Sequence, residues 1–437
     1  MEESSKSREC FPDGTCIPDD LLSDELPDLK ELGLLWYLNE HGIKTGETVQ
    51  TQAIQRIINR AAEIGGGIIV FPRGTVVSGS LFFPKGVHLF LAEGAVLKGS
   101  QQISDYPLRE TRIEGETCFY FPALINADHA DGFTIFGSGT IDGNGLHSWE
   151  AFWLRRKWNP ACTNKDEQRP RLLYISHSSH VTIHGVTLRD SHFWTMHLYR
   201  CHFARILNCR ILSPAAPVPA PSTDAVDLDA CEDIAIRGCF LSVNDDAIAL
   251  KGGKGLTADR NPDNGPVQRV LIENCEFGFC HSCLTCGSEA FHCRNILMRH
   301  CRIRGATNLL RLKMRPDTPQ KYEYINIEEV SGQAAHLLHL RPWTQFADPG
   351  APPAPPSIAE RITLRDCACT CDVPLDVAPE KSCVQGKCFL LENLRIRARE
   401  KGFPPEQLTG FFPESQCLNL DIRTDPDQHP IQSMEIM

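Results

Sequence analysis

Apolar residues recur at helical spacing in one early part of the chain. They fall three or four residues apart and predict an amphipathic helix over residues 49–64. Its apolar positions are Val49, Ala53, Ile54, Ile57, Ile58 and Ala61. Thr48 is the predicted N-cap, and the three consecutive glycines at 65–67 are predicted to end the helix.

After this helix the pattern changes to short apolar or alternating runs separated by glycine. The runs GIIVF, HLFLAEGAVL and FTIFGSGTIDG are examples. Runs of this length and composition predict strands. The rest of the chain is therefore predicted to be built from many short strands.

An internal repeat organises these strands. Each unit reads apolar, two spacers, apolar, one spacer, apolar, and first positions lie 23 to 37 residues apart. The first positions are Ile183, Ile206, Ile236, Ile272, Met298, Ile327 and Leu364. A strand-rich repeat of this size without a helical partner predicts one parallel β-helix, with coils stacked at about 4.8 Å.

Composition and charge narrow the classes of protein. The 437 residues are 42% apolar, and 44 basic against 55 acidic residues give a net charge of −11. This balance argues against nucleic-acid and membrane partners, and no run reaches the roughly 18 apolar residues of a membrane span. We expect residues 1–30 to be a loosely packed leader and residues 31–437 to be a single domain, with loop insertions at 147–169 and 342–358. The oligomeric state stays open.

Twenty cysteines are many for a chain of this length. The middle apolar position of five units is cysteine, and three of these units carry another cysteine eight residues earlier. These residues are Cys209, Cys239, Cys275, Cys301 and Cys367, with Cys201, Cys231 and Cys293. They are predicted to form buried columns of thiols. Cys280, Cys283 and Cys286 resemble zinc ligands in spacing but lack a second pair, so no metal or cofactor is predicted.

Acidic residues are concentrated at one place in the repeat. Asp224 precedes the pair Asp245 and Asp246 by 21 residues, which is about one coil, so neighbouring coils can bring them together. Paired carboxylates suit glycoside hydrolysis, in which one protonates the leaving oxygen and another activates water. Aspartate beside Ser and Thr also caps turns, and this alternative stays open. Asp227 and Asp229 are interpreted as supporting or turn residues.

A basic strand follows the acidic cluster. Arg311, Lys313 and Arg315 alternate with apolar residues, so their side chains share one face. A solvated basic face is one interpretation. The other is a carboxylate-binding site, because arginine binds carboxylates with two hydrogen bonds. His281 lies between the two clusters in sequence, one coil beyond the aspartate pair.

These residues resemble a known family. Ser222-Thr223-Asp224, Asp245-Asp246, Cys280-His281-Ser282 and Arg311-Leu312-Lys313 are similar, in order, to the Asn-Thr-Asp, Asp-Asp, Gly-His-Gly and Arg-Ile-Lys signatures of glycoside hydrolase family 28. GSGTIDGNG, DSHFWTMH and DDAIALKGGKG add to the likeness, which spans roughly residues 40–340. The stretch from Gly65 to Ser100 resembles bacterial members, including exo-acting ones.

The resemblance implies an all-β, right-handed, pectin-lyase-like parallel β-helix with a short N-terminal capping helix. It implies inverting hydrolysis of galacturonate-containing pectic oligo- or polysaccharides. Asp245 would be the general acid, while Asp224 and Asp246 would hold and activate water. The substrate-binding residues would be His281, Arg311, Lys313, Trp194, His197 and Lys251. An inverting pair should have its carboxyls about 6.5–9.5 Å apart.

Departures from the signatures keep other functions open. Ser222, Asn244, Cys280 and Ser282 replace the family's usual residues, which implies a changed subsite. A uronate lyase and a non-catalytic carbohydrate-binding β-solenoid are the alternatives. We expect exo action, with the Trp-rich 147–169 insertion closing one end of the cleft. The first residues lack the pattern of a signal peptide, and unpaired thiols suit a reducing cytosol, so a cytoplasmic location is expected. A leader removed before the first residue is the alternative, and oxidised Cys10–Cys16 or Cys383–Cys388 would favour it.

Overall fold

The chain winds into successive coils that contribute strands to two long parallel sheets. The structure is a computed structural model that describes residues 9–345, 347, 350, 352, 354–378 and 384–431. Within these residues one sheet has 14 strands and the other has 19. The architecture is the right-handed parallel β-helix that the repeat and the resemblance predicted.

The 14-stranded sheet, called the first sheet below, takes one strand from each coil except the coil after Ser357–Arg365, which contributes two short strands. Its strands are Leu35–Tyr37, Gly67–Phe71, Val87–Leu91, Thr134–Gly137, Thr182–His184, His202–Leu207, Glu232–Arg237, Val267–Glu273, His292–Arg299, Lys321–Glu328, Ser357–Arg365, Val384–Lys387, Leu390–Glu392 and Gln416–Leu418.

The 19-stranded sheet consists of two columns that merge where three coils have one long strand. The second column contains Gly74–Ser78, Ala95–Gly99, Thr140–Asp142, Thr187–Arg189, Arg210–Leu212, Phe240–Ser242, Ala368–Cys371, Arg395–Ala398 and Asp421–Thr424. The third column contains Leu81–Phe82, Ile125–Asp128, Leu173–Ser176, Met196–Tyr199, Val226–Asp229, Ile248–Lys251 and Val373–Val377. The long strands that span both columns are Glu276–Cys286, Arg302–Met314 and Ser331–Pro342.

The predicted repeat positions lie in register inside the coils. Ile183 pairs with Ile206, which pairs with Ile236, and the ladder continues without a slip to Leu364. All of these side chains are buried. Each position of the repeat therefore forms one apolar column along the axis, and removal of this surface from water stabilises the stacking of the coils.

The predicted thiol columns are also present. Cys209, Cys239, Cys275 and Cys301 are buried at the same turn of consecutive coils, each with its Sγ near a backbone carbonyl oxygen. In the other column Val267 stands between Cys231 and Cys293. Cys280, Cys283 and Cys286 point into the same apolar interior, where burial and the neighbouring Cys280 raise the pKa of the Cys283 thiol. Cys383 lies outside the described residues.

The predicted N-terminal helix caps the first coils and spans Thr51–Glu63. Its predicted N-cap, Thr48, is wrong. Gln50 occupies that position, and its side chain bonds to the backbone of Lys44 instead of to the helix. The glycine stop is confirmed, because the Gly66 amide donates to the Ala61 carbonyl with a φ of 103°. A Cβ at residue 66 would lie 2.2 Å from the Gly86 carbonyl oxygen in the next coil. The close approach of that coil is therefore a second reason why residue 66 must be glycine.

Three other α-helices occur among the described residues, at Asp19–Leu22, Leu146–Trp158 and Pro405–Phe411. Short 3-10 helices span Leu38–His41, Ile103–Asp105, Asn164–Asp166 and Ala258–Arg260. No described helix has the length and apolar content required to span a membrane.

The N-terminal segment differs from the loosely packed leader that we expected. Phe11, Ile17 and Leu21 are buried against Leu271 and its neighbours on the outer face of the first sheet. The Ile17 amide donates to Glu9 and the Phe11 amide to Thr15, which closes a turn over the sheet. This packing could not be predicted from the sequence, because the three apolar residues follow neither a helical nor a strand period.

Both predicted insertions interrupt the coils. The first contains the helix Leu146–Trp158, in which Trp149 and Phe152 are buried. The second lies mostly between the strands that end at Pro342 and begin at Ser357, and part of it falls outside the described residues. The Trp343 amide donates to the Met314 carbonyl and so continues the third column before the chain leaves it.

One further insertion is an antiparallel hairpin, Arg109–Ile113 with Glu116–Tyr120, called hairpin 109–120 below. Glu114 and Gly115 form its turn, and both have positive φ. That is the geometry of a type I′ turn, which matches the twist of the flanking strands. Arg171 donates to the Arg112 carbonyl and to Thr111, which holds the hairpin across the third column.

The outer packing of the N-terminal segment can be tested with Leu21→Ala. The substitution removes a fully buried side chain from this contact, so the amides of residues 9–22 should lose protection in hydrogen exchange while the coils keep theirs. Ile236→Ala, inside the coil, should instead lower the free energy of unfolding by about 2–5 kcal/mol. Equal losses of coil stability in both variants would show that the segment is part of the core.

Candidate active site

The predicted aspartates meet at the edge of the third column. Val226 pairs with Ile248, so Asp224 and Asp246, each two residues earlier, occupy the same position in adjacent coils. The Ala225 amide donates to the Asp246 carbonyl, which fixes this register. With Asp245 they form a cluster in which one oxygen of each carboxylate lies within 4.8 Å of the others. The spacing of about one coil therefore predicted the juxtaposition correctly.

The separation of the carboxylates corrects one expectation. We expected the acid and base carboxyls of an inverting pair about 6.5–9.5 Å apart, but the nearest oxygens lie within 4.8 Å. Direct stacking in register, instead of a diagonal between coils, brings Asp224 and Asp246 this close. The distance rule therefore does not support inversion in this cluster.

His281 belongs to the following coil and lies beside Asp245. Its amide donates to the Asp245 carbonyl at 2.9 Å, and its Nδ1 lies 3.2 Å from Asp245 Oδ1. Strand alternation points Cys280 into the core and His281 toward the cleft. The unusual cysteine beside the histidine therefore changes the interior packing and not the lining of the cleft.

The basic strand is divided between two roles. Lys313 Nζ lies 2.7 Å from Asp246 Oδ2, while Arg315 pairs with the buried Asp317. Arg311 has no ion pair among the described residues, and its buried Nε has no hydrogen-bond partner there. Its guanidinium lies 4.8 Å from the centre of the Trp343 ring. Arg311 is thus a cation held over an aromatic face and ready to bind an anion.

Lys251 and Trp194 lie on the other side of the aspartates. Lys251 Nζ is 3.7 Å from Asp224, 3.7 Å from Asp227 and 3.4 Å from Glu289. It also lies 4.9 Å from the centre of the Trp194 ring. Both residues line the cleft as predicted, although Lys251 is already surrounded by carboxylates.

His197 does not line the cleft, contrary to our prediction. Its side chain is 0% exposed and lies beneath Trp194, with Nδ1 2.6 Å from Arg171 and Nε2 3.4 Å from Asp229. Burial lowers the pKa of His197 to about 4, so the ring is neutral. His197 lies in the third column where hairpin 109–120 covers the face, and a repeat pattern does not show such a cover.

The electrostatics separate the carboxylates into two groups. Burial and the neighbouring Asp245 and Asp227 raise the pKa of Asp224 well above its usual range. Burial acts in the same direction on Asp245 and Asp246, but His281 outweighs it for the first and Lys313 for the second, so both pKa values are lowered. In the free site the shared proton therefore rests on Asp224 and its neighbour Asp227.

The cleft has a volume of about 750 Å³, and one end of it is lined by the first insertion, as expected, and by hairpin 109–120, which sequence reasoning did not assign to the site. Phe152, Trp153 and Arg156 of the first insertion line this end together with Glu114, at the tip of hairpin 109–120. A Cβ at Gly115 would lie 3.1 Å from Glu289, which shows how closely the tip meets the wall of the cleft. The signal for the hairpin in the sequence was the Glu114-Gly115 pair between two short runs that contain β-branched and aromatic residues. Further lining residues missed there are Glu289, Asn308, His336, His339 and Asp376.

Two groups among the described residues could hold a metal ion. One is the aspartate cluster itself, in which Lys313 already neutralises Asp246. The other is Asp128 with His129 and His177, whose ring Nδ1 atoms each lie 2.9 Å from an Asp128 oxygen. This second group is exposed and lies beyond hairpin 109–120, away from the aspartates.

A parallel β-helix that presents clustered carboxylates beside an uncommitted guanidinium belongs to the class of carbohydrate-active solenoids. The sequence profile of the glycosyl hydrolases family 28 matches residues 101–333, which is more than half of the chain. The chain is therefore a member of glycosyl hydrolases family 28.

Individual relatives agree with this membership. The chain is 28% identical over 222 residues to a probable polygalacturonase of Vitis vinifera, covering 48% of this chain and 43% of the relative. It is 26% identical over 282 residues to an endo-polygalacturonase of Pectobacterium carotovorum subsp. carotovorum, covering 62% and 66%. The matches thus span less than two thirds of either relative. The structure of an exopolygalacturonase from Thermotoga maritima has a TM-score of 0.72 at 19% identity, covering 87% of this chain and 90% of that one, and shows the same fold.

The buried proton can be tested through stability. Burial raises the pKa of Asp227 to about 7, against about 3.9 in an unfolded chain. Its contribution to stability is complete below the unfolded value and is lost as pH rises to about 7. Between pH 5 and 8 the wild type should lose about 2–3 kcal/mol more unfolding free energy than Asp227→Asn. Identical pH profiles in denaturant titrations would contradict the assignment. Asp229→Asn should instead destabilise at neutral pH, because Asp229 is ionised and 3.1 Å from Arg112.

Proposed function

We propose that this protein hydrolyses glycosidic bonds in galacturonate-containing pectic oligo- or polysaccharides and acts on chain ends. The observation that carries the proposal is the position of Arg311, an uncommitted cation in the same cleft as three carboxylates that lie within 4.8 Å. A uronate bound to Arg311 leaves its glycosidic bond beside the carboxylates. The polygalacturonase names of the relatives support the same substrate class.

The carboxylates divide the work between proton donation and activation of water. Asp245 is the most exposed of the three and is therefore the one that a glycosidic oxygen meets first. Because the proton rests on Asp224 in the free site, donation by Asp245 requires proton transfer from Asp224 when substrate displaces solvent. This transfer leaves Asp224 ionised next to Asp246, and the two together can orient and deprotonate a water molecule.

Inversion is part of the proposal through family resemblance alone. Lys313 holds Asp246 at 2.7 Å, and Asp246 Oδ1 is buried without a hydrogen-bond partner among the described atoms. A water molecule between Asp246 Oδ1 and Asp224 would also lie close to Asp245, the proposed acid. The separation of the carboxylates therefore gives no independent support for inversion.

The acid is tested by Asp245→Asn on a panel of pectic oligosaccharides. Turnover should fall at least about 100-fold, which is the contribution of a general acid, while the dissociation constant should stay within about 3-fold. Asp131→Asn, an exposed aspartate paired with Lys85 away from the cleft, is the matched control and should keep wild-type turnover. NMR of the first product of the wild type should show the inverted anomer.

The same assay separates the alternatives. The three clustered carboxylates could also bind calcium, which would favour a uronate lyase. Lyase products absorb in the ultraviolet because they contain a double bond, whereas hydrolysis products do not. Binding without any product from the wild type would favour a carbohydrate-binding solenoid and would contradict the proposed hydrolase.

Exo action is proposed because hairpin 109–120 and the first insertion close one end of the cleft. Hydrolysis should therefore release small products from chain ends. In a viscometric assay on a pectic polysaccharide, viscosity should stay near its starting value while reducing ends accumulate. A steep early fall in viscosity would show cleavage inside the chain and would contradict the closed end.

A cytoplasmic location remains part of the proposal. It is supported by the unpaired thiols of the buried columns, which are compatible with a reducing compartment. Imported oligosaccharides, and not intact cell walls, would then be the substrate.

A further inference from the structure

The two ends of the cleft differ in the cations that they offer. At one end Arg311 is free of ion pairs among the described residues and faces the cleft over Trp343. At the closed end each cation of the lining already has acceptors. Since a uronate needs a cation to replace its water, the two ends should not accept the same sugar.

Lys251 is the cation closest to the aspartates at the closed end. Three carboxylates surround it at 3.4 to 3.7 Å, from Asp224, Asp227 and Glu289. Burial acts against its charge, but Glu289 and the aspartates outweigh burial and raise the pKa of Lys251 well above its usual range. The ammonium is therefore charged and already compensated by the ionised Glu289 and by the pair of Asp224 and Asp227, which shares one proton, so a further carboxylate would add repulsion.

The remaining cations at this end are also engaged. Lys254 lies 3.1 Å from Glu116 of hairpin 109–120. Arg156 donates to the Cys162 carbonyl and, at 3.3 Å, to Asn164. Asn164 in turn donates to Glu114 at 2.7 Å, so the carboxylate of Glu114 stays at the tip of the hairpin facing the cleft.

The closed end therefore presents acidic and apolar groups without an uncommitted cation. Glu114 and Glu289 supply hydrogen-bond acceptors suited to sugar hydroxyls, and the half-buried Trp153 supplies an aromatic surface. Aromatic faces pack well against the apolar face of an uncharged pyranose. A terminal uronate would place a carboxylate beside two others.

We propose that the closed end of the cleft binds a neutral terminal sugar, which is joined to a uronate held by Arg311. This inference rests on the proposed hydrolase and narrows its substrate to mixed oligosaccharides with an uncharged end. Glu289 and Glu114 are the residues that determine this specificity.

Binding of three trisaccharides to the Asp245→Asn variant tests the inference by calorimetry. One is trigalacturonate, and the other two carry a galactose or rhamnose in place of the galacturonate at the non-reducing or the reducing end. One neutral-ended trisaccharide should bind at least 10-fold more tightly than trigalacturonate, and its identity shows which chain end enters the cleft. The inference would be overturned if trigalacturonate bound as tightly as both neutral-ended trisaccharides.

A charge variant links the preference to its residue. Glu289→Gln removes one carboxylate and leaves Lys251 less compensated, so, measured in the Asp245→Asn background, the preference for the neutral end should shrink by about 3- to 10-fold. Glu329→Gln, an exposed glutamate that pairs with His300 outside the cleft, should leave the ratio unchanged. An unchanged ratio in Glu289→Gln would contradict the assignment.

Turnover of the three trisaccharides by the wild type distinguishes a failure of the proposed hydrolase activity from a failure of the proposed neutral-sugar subsite. If the neutral-ended trisaccharide binds selectively but none of the three is cleaved, the hydrolase proposal fails while the specificity stands. If trigalacturonate is cleaved and bound as well as the neutral-ended forms, the hydrolase stands and the neutral subsite fails.

Discussion

Backbone hydrogen bonding between coils is the constraint on which the rest of the structure depends. Each strand pairs with the same positions of the strand one coil later, from Ile183 through Leu364 without a slip. A shift of one residue would move every inward side chain to the outer face. The apolar and thiol columns fix the register, and the register places Asp224 against Asp246. The active site is therefore a consequence of the interior packing and needs no separate device to assemble it.

The same stacking creates an electrostatic problem that the cleft uses. Identical positions in adjacent coils put carboxylates closer together than they can all be ionised, and burial adds to the cost. Lys313 and Lys251 compensate part of this charge, and the raised pKa of Asp224 retains a proton for the rest. Arg311 adds to the field that lowers the pKa of Asp246 but makes no ion pair of its own among the described residues. The cations at one end of the cleft are compensated by carboxylates, and Arg311 at the other end has no ion pair within the described part of the chain. This difference makes the two ends of the cleft chemically distinct.

Much of this arrangement follows from sequence periodicity. The repeat predicted the β-helix, both thiol columns and the meeting of Asp224 with Asp245 and Asp246, because each depends on positions inside the coil. Among the features that cover the coils, the hairpin and the packing of the N-terminal segment were missed. Hairpin 109–120 is fixed by Arg171 and by contacts with distant loops, and Phe11, Ile17 and Leu21 find their apolar partners more than 200 residues away. His197 was wrongly assigned to the cleft, because nothing local to it shows that the hairpin lies above.

The central claim is that a chain end lies between hairpin 109–120 and the carboxylates, with a uronate on Arg311. A crystal structure of the Asp245→Asn variant with a bound pectic oligosaccharide tests it most directly. The account predicts the uronate carboxylate in hydrogen-bond contact with the Arg311 guanidinium, the glycosidic oxygen beside residue 245 and the terminal sugar against Trp153 and Glu289. An oligosaccharide that passes over the hairpin, or a uronate bound at Lys251 with Arg311 left unused, would contradict it.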